Sequence, residues 1–196
     1  MTTLAIVAFD GFTDIDVFLH WDLLNRPRQE APERAGDWQV RLLGTEARHR
    51  SAAGLDIEMH GSIDEARDAE AVLHASGPAT RRLAEEPAYL DRLALDPDRQ
   101  LVASQCSGAL ILAASGLLRG KTATTYPTAA AQLAGYGATV VAEPFVAHER
   151  IATAAGCLAG VELDRWLLGK LIGPEIAAAC ITSASPIGQG LELTAS

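Results

Sequence analysis

The stretch Leu101-Val-Ala-Ser-Gln-Cys106-Ser-Gly-Ala-Leu-Ile-Leu112 carries the clearest chemistry in the chain. An apolar strand runs directly into Cys106, and Ser107-Gly108 opens a helix with no intervening loop, which puts the thiol on a sharp strand-to-helix turn. That is the geometry of a nucleophile elbow. Unpaired N–H groups and the positive dipole end at the helix start favour thiolate over thiol. The spacing therefore predicts an exposed Cys106 of lowered pKa, alkylated ahead of Cys157 and Cys180. A plainer reading fits the same residues, a small buried hydrophobe closing a strand, because free cysteine is among the most buried residue types. Residue types alone leave both readings open.

The other chemistry-bearing residues are scattered. Asp14, Asp16 and Asp22 fall on or beside one helical stretch, and each can serve as a solvated helix acid stabilised by the dipole. His20, His49, His60, His74 and His148 show no i,i+4 pairing and no clustering with cysteine along the chain, so each is read as a surface or satisfied core histidine. No metal site is expected. Cys157 stands at a glycine-flanked helix start, where it fits either a second reactive thiol or, the preferred reading, packing under the active-site turn, and Cys180 lies in an alanine-rich run that belongs to the core.

The elements that must position these groups follow from periodicity. Leu4 to Phe9 is a short apolar run closed by Asp10-Gly11, a strand buried on both faces. Asp14 to Leu24 has helical spacing and is stopped by Arg26-Pro27. Further strands are predicted at 38–43, 55–59, 71–74, 100–104, 122–125, 138–141 and around Val146 and Ile151. Helices are predicted at 87–95, 107–118, 158–172 and 175–183. Arg26 to Asp37 reads as a polar loop, and the chain after Pro186 as a loose tail. Strands alternating with helices across short connections imply a doubly wound α/β sandwich with a mostly parallel sheet. The expected organisation is one domain over residues 1–196, with its core at about 3–185.

Composition narrows the function. Among 196 residues, 48% are hydrophobic and 21% charged, enough apolar surface to fold. A net charge of -9 repels phosphate backbones and anionic lipid, so nucleic acid is not an expected partner. The N-terminal apolar run is broken by Asp10, Asp14 and Asp16, and neither a signal peptide nor a membrane anchor is expected. Three widely spaced cysteines give no disulfide framework and fit a reducing cytoplasm.

The elbow, continued in Ala113-Ala-Ser-Gly-Leu-Leu-Arg-Gly-Lys-Thr-Ala-Thr-Thr125, resembles the ThiJ/PfpI superfamily, relatives of the class I glutamine amidotransferases. The resemblance extends to Ile6-Val-Ala-Phe-Asp-Gly-Phe-Thr-Asp-Ile-Asp16-Val and to Ala155-Gly-Cys-Leu-Ala-Gly-Val-Glu162, and covers roughly residues 3–185. It implies a flavodoxin-like fold, usually assembled as a homodimer. It also implies that Asp16 is the acid set against the cysteine. Aspartate at this position, where glyoxalase-like and deglycase-like members carry glutamate, resembles the isonitrile hydratase branch.

The same resemblance places Ser107 where a hydroxyl caps the helix or meets substrate. Gly77 takes the place of a turn glycine whose N–H faces the cysteine, although Ser76 and Ala79 replace glycines expected beside it. Tyr126 stands where glyoxalase-like and peptidase-like relatives often place histidine, and Ser107 where peptidase-like members do. Without a Cys-His pair, peptidase and amidotransferase chemistry are disfavoured. The implied activity is hydration of a small isonitrile to an N-substituted formamide by Cys106 and Asp16, with no cofactor. Two alternatives stand beside it. One is glyoxalase or deglycase-like action on an α-oxoaldehyde, and the other is a redox sensor in which Cys106 is oxidised to a sulfinate held by Asp16 and the helix N-terminus.

Overall fold

Four apolar runs form the centre of the sheet because they are too short for helices and carry no polar face to expose. Thr2–Val7, Ala71–His74, Leu101–Gln105 and Ile151–Ala154 lie side by side and parallel, the last three almost wholly buried. Trp38–Gly44 and the two-residue strand Gly61–Ser62 extend the sheet on one edge, and Phe145–Ala147 closes the other as its one antiparallel member. The seven strands follow the spatial order Phe145–Ala147, Ile151–Ala154, Leu101–Gln105, Ala71–His74, Thr2–Val7, Trp38–Gly44, Gly61–Ser62. The structure, a computed structural model, describes residues 1–192.

Helices cover both faces. Ile15–Asn25 packs on Gly160–Leu171, which packs in turn on Pro174–Thr182. On the other face lie Thr80–Leu83, Ala109–Ala114 and Ala130–Gly135, the middle one touching both of the others. This is the mostly parallel, doubly wound α/β sandwich that the alternation of elements predicts. A buried pair fastens the first layer: His20 Nδ1 lies 2.7 Å from Asp164 Oδ1, both residues fully inaccessible. Burial raises the Asp164 pKa, and the neighbouring imidazole opposes that rise.

Several local expectations change. The polar segment 26–37 is not a loop but contains two short helices, Pro27–Glu30 and Pro32–Ala35, each begun by a proline preset for a first helical turn. The strand predicted at 55–59 shrinks to Asp56–Glu58 and pairs with Arg48–Arg50 in a separate hairpin. Likewise Thr122–Ala123 pairs only with Thr139–Val140, outside the main sheet. The helix predicted at 107–118 is cut to Ala109–Ala114, because Cys106–Gly108 forms a 3₁₀ turn and Gly116, at φ 81, leaves the helical region. Of the tail expected to be loose, Ile187 and Leu191 form an isolated bridge, and 193–196 lie outside the described residues.

Sheet order places the candidate site. The chain leaves Thr2–Val7 toward Trp38–Gly44 on one side and returns as Ala71–His74 on the other, so the winding reverses at the first strand. In open α/β sheets, ligands bind at the carboxyl ends of the strands beside such a reversal. Here Val7 is level with His74, His74 with Ser104, and Gln105 with Ala154, so four loops leave the sheet side by side.

Candidate active site

Each of those four loops contributes to one cavity of about 330 Å³. The loop and first helix after Thr2–Val7 give Thr13 and Asp16. Ser76, Gly77, Pro78 and Arg81 follow Ala71–His74, Cys106 and Ser107 follow Leu101–Gln105, and Cys157 follows Ile151–Ala154. Tyr126 and Thr128 come from the loop preceding Ala130–Gly135. All five residues singled out from sequence, Cys106, Asp16, Gly77, Ser107 and Tyr126, thus border a single space.

Cys106 has a left-handed backbone, φ 49, a conformation a non-glycine residue adopts at a cost of roughly 1–3 kcal/mol. Neighbouring hydrogen bonds hold it there. Thr125 Oγ1 donates to the Cys106 carbonyl at 2.9 Å, and Gln105 Nε2 donates to the Gly156 carbonyl at 3.0 Å while lying 3.4 Å from Cys106 Sγ. Two glycines permit the close approach of the surrounding backbone. A Cβ at Gly108 would meet the His74 carbonyl oxygen at 2.5 Å, and one at Gly77 would meet that of Gly11 at 2.4 Å.

The expected state of the thiol is overturned. Cys106 is only 2% exposed, and its pKa is pushed up to about 12, first by burial and then by the negative charge of Asp16. The helix behind it has only six residues, too short a dipole to offset a carboxylate at close range. Burial and the neighbouring carboxylate thus favour the protonated thiol over the thiolate.

Asp16 lies on the buried face of the first helix, fully inaccessible, rather than in solvent. Ser76 Oγ donates to its Oδ2, while Oδ1 has no hydrogen-bond partner. The first helix is itself held from below, since Asp14 accepts from Ser51 Oγ at 2.6 Å and from the Ala53 N–H at 3.0 Å, which keeps its carboxyl below the usual range. Asp14 is thus a tie to the neighbouring hairpin and not a free solvated acid.

Ser107 does not cap the helix. Its Oγ lies 2.9 Å from Thr80 Oγ1 and 3.3 Å from the Gly77 carbonyl, and it receives the Gly77 N–H at a long 3.4 Å. Tyr126, 47% exposed, stands at the mouth.

Three further contributors line the cavity beyond the five residues singled out from the sequence. Ser76 looked like the loss of a glycine, yet it is the donor that orients Asp16. Cys157 faces into the cavity: its sulfur, Cys106 Sγ and a carboxylate oxygen of Asp16 all lie within 4.8 Å of one another. Among the described residues these three are the donor set able to hold a thiophilic cation jointly, a clustering that sequence spacing conceals. Arg81 hydrogen-bonds Thr128 Oγ1 at 2.7 Å and has no ion-pair partner among the described residues. No signal in the sequence separated it from Arg82 beside it.

Comparison with known proteins shows the DJ-1/PfpI family matching residues 2–169. The chain belongs to that family. Solved structures agree with the fold of the DJ-1/PfpI assignment: a ThiJ/PfpI family protein of Pseudomonas syringae superposes with a TM-score of 0.80 at 23% identity, covering 95% of this chain and 76% of that one. DJ-1beta of Drosophila melanogaster gives 0.79 at 20% identity, covering 93% and 97%. Among curated proteins, the isonitrile hydratase of Pseudomonas putida is 28% identical over 128 residues. That match spans 65% of this chain and 56% of the hydratase, little more than half its length. No helix among the described residues is long and apolar enough to cross a membrane.

Proposed function

We propose that this DJ-1/PfpI protein is an isonitrile hydratase-like enzyme, converting a small isonitrile and water to an N-substituted formamide. The observation that carries the reading is the convergence of the Cys106 thiol with the Asp16 carboxylate, whose Oδ1 is unpartnered, in a cavity of about 330 Å³. The 28% identical hydratase supports it.

A protonated thiol suits this reaction. Addition to an isonitrile consumes both parts of S–H: as the sulfur bonds to the terminal carbon, Asp16 takes the thiol proton and delivers it to that same carbon, leaving a thioimidate. Asp16 then accepts a proton from water as the water oxygen attacks, and passes that proton to the imine nitrogen. Collapse of the adduct breaks the C–S bond, transfers the hydroxyl proton through Asp16 to Cys106 and releases the formamide. Ser76 keeps one carboxylate oxygen fixed throughout, and the Gly77 N–H, held by Ser107 only at a long 3.4 Å, is a cavity-lining donor for charge developing on the substrate.

Incubation of purified protein with an isonitrile, methylglyoxal and a chromogenic peptide tests the reading. Formamide release from the isonitrile alone is expected; turnover of methylglyoxal instead would replace the hydratase with a glyoxalase. We further infer a homodimer, on the family resemblance and on Ile15, 40% exposed beside the half-buried Phe18 and Leu19 of the first helix, and a cytoplasmic location, on three widely spaced cysteines that form no disulfide framework. Sedimentation velocity at micromolar concentration should give twice the chain mass.

A further inference from the structure

The hydration chemistry leaves a second nucleophilic group in the cavity unused. Cys157 brings a second thiol to within 4.8 Å of both Cys106 Sγ and the Asp16 carboxylate. The two cysteines stand on adjacent loops, because Gln105 and Ala154 are level neighbours in the sheet and each cysteine follows its strand closely. Gln105 ties those loops together, its Nε2 reaching the Gly156 carbonyl at 3.0 Å, Cys106 Sγ at 3.4 Å and the Cys157 carbonyl at 3.5 Å.

Their settings differ in a way that assigns roles. Cys106 is buried on a backbone fixed by Thr125 and Gln105, whereas Cys157 is half-buried on a 3₁₀ turn, Cys157–Ala159, that has no buried residue. Solvent-borne reagents reach Cys157 first. The closure from the present separation to an S–S bond of about 2.05 Å falls on the loosely packed Cys157 turn, not on the elbow.

We propose that Cys106 and Cys157 form a reversible intrachain disulfide when the protein meets a peroxide, with Cys157 oxidised first and Cys106 resolving it. The Cys157 sulfur attacks the O–O bond, an S–O bond forms, water leaves, and a sulfenic acid remains while the peroxide takes two electrons. Cys106 then gives its proton to Asp16 and attacks the Cys157 sulfur. The S–O bond breaks, and the departing hydroxide takes the proton as water. Two thiols and one hydrogen peroxide become one disulfide and two waters. Raised thiol pKa values at both positions make the first step slow without a base, and the neighbouring carboxylate supplies one. The bond takes the proposed nucleophile out of action and shields it from irreversible oxidation to sulfinate.

Hydrogen peroxide, one equivalent per chain on the reduced full-length protein, tests this. Two of the three thiols should disappear, the chain mass should fall by two hydrogens, and digestion should yield a peptide linking Cys106 to Cys157, with all three thiols restored by dithiothreitol. In Cys157→Ser, peroxide raised above the two equivalents per chain that a sulfinate consumes should carry Cys106 on to sulfinate that dithiothreitol does not reverse. Sulfinate on Cys106 of the unmodified protein with Cys157 still free would overturn the inference, as would a disulfide between two chains. Thiol counts and masses read this bond whether or not the reduced protein turns over an isonitrile, so this inference and the hydratase reading fail separately.

Discussion

Ser76 Oγ donates to one carboxylate oxygen of Asp16 and leaves the other, fully buried, without a partner. The pair joins the loop after Ala71–His74 to the first helix, so the acid is oriented by a neighbouring strand and not by its own element. A carboxylate with one oxygen anchored and one unpaired, facing two thiols, is arranged for proton transfer.

Asp16→Asn keeps the Ser76 contact available but removes the proton carrier. Isonitrile turnover should fall by roughly a hundredfold or more, as loss of general acid–base catalysis does. Because the Asp16 charge is one of the causes of the high Cys106 pKa, the pH at which iodoacetamide labels Cys106 should move down in this variant. Full retention of turnover, measured by formamide release, would remove Asp16 from the mechanism.

Limiting iodoacetamide at neutral pH should label Cys157 ahead of Cys106, and Cys180 last. Cys106 is 2% exposed with its pKa near 12, Cys180 is wholly buried with its pKa pushed up to about 11, and Cys157 alone is half-open to solvent. Peptide mass spectrometry reads the order. This reverses what the elbow motif predicts, because the motif reports a helix end and not the burial above it.

Arg81 is the cation of the cavity, and its guanidinium lacks a carboxylate partner among the described residues. An isonitrile bearing a carboxylate should therefore outperform a neutral one of equal size. Arg81→Gln should lower kcat/KM for the acidic substrate about tenfold, the worth of one charged hydrogen bond, and leave the neutral one within about twofold. Equal losses for both substrates would make Arg81 structural.

His74 gives stability a defined pH dependence. Its Nδ1 lies 2.8 Å from the Ala75 carbonyl, which can only accept, and its Nε2 lies 2.7 Å from the Tyr89 hydroxyl, so the buried ring is satisfied as the neutral form. Burial lowers its pKa from 6.5 to about 4. The unfolded chain therefore binds a proton that the folded one refuses, and stability should be lost as pH falls from about 6.5 toward 4, by roughly 3 kcal/mol in all. Urea unfolding of the wild type and His74→Gln at pH 7 and pH 4.5 measures it: the variant should lose less on acidification, and an unchanged difference would exclude His74 as the source.

The sequence by itself determined the alternation of strand and helix, the parallel sandwich it implies, and the place of Cys106 at the end of Leu101–Gln105, since each rests on short-range periodicity and on a strand running into a turn. Resemblance added Asp16, Gly77, Ser107 and Tyr126, which the fold gathers around one cavity. Tertiary structure alone decided what stands beside them and in which protonation state. Cys157 is 51 residues from Cys106 along the chain yet reaches it because Ile151–Ala154 and Leu101–Gln105 are paired in the sheet. Ser76 meets Asp16 for the same kind of reason, across 60 residues. The Cys106 pKa followed neither motif nor helix end, because desolvation and charge are sums over every group packed near the sulfur, and those groups come from loops that only the folded sheet brings together.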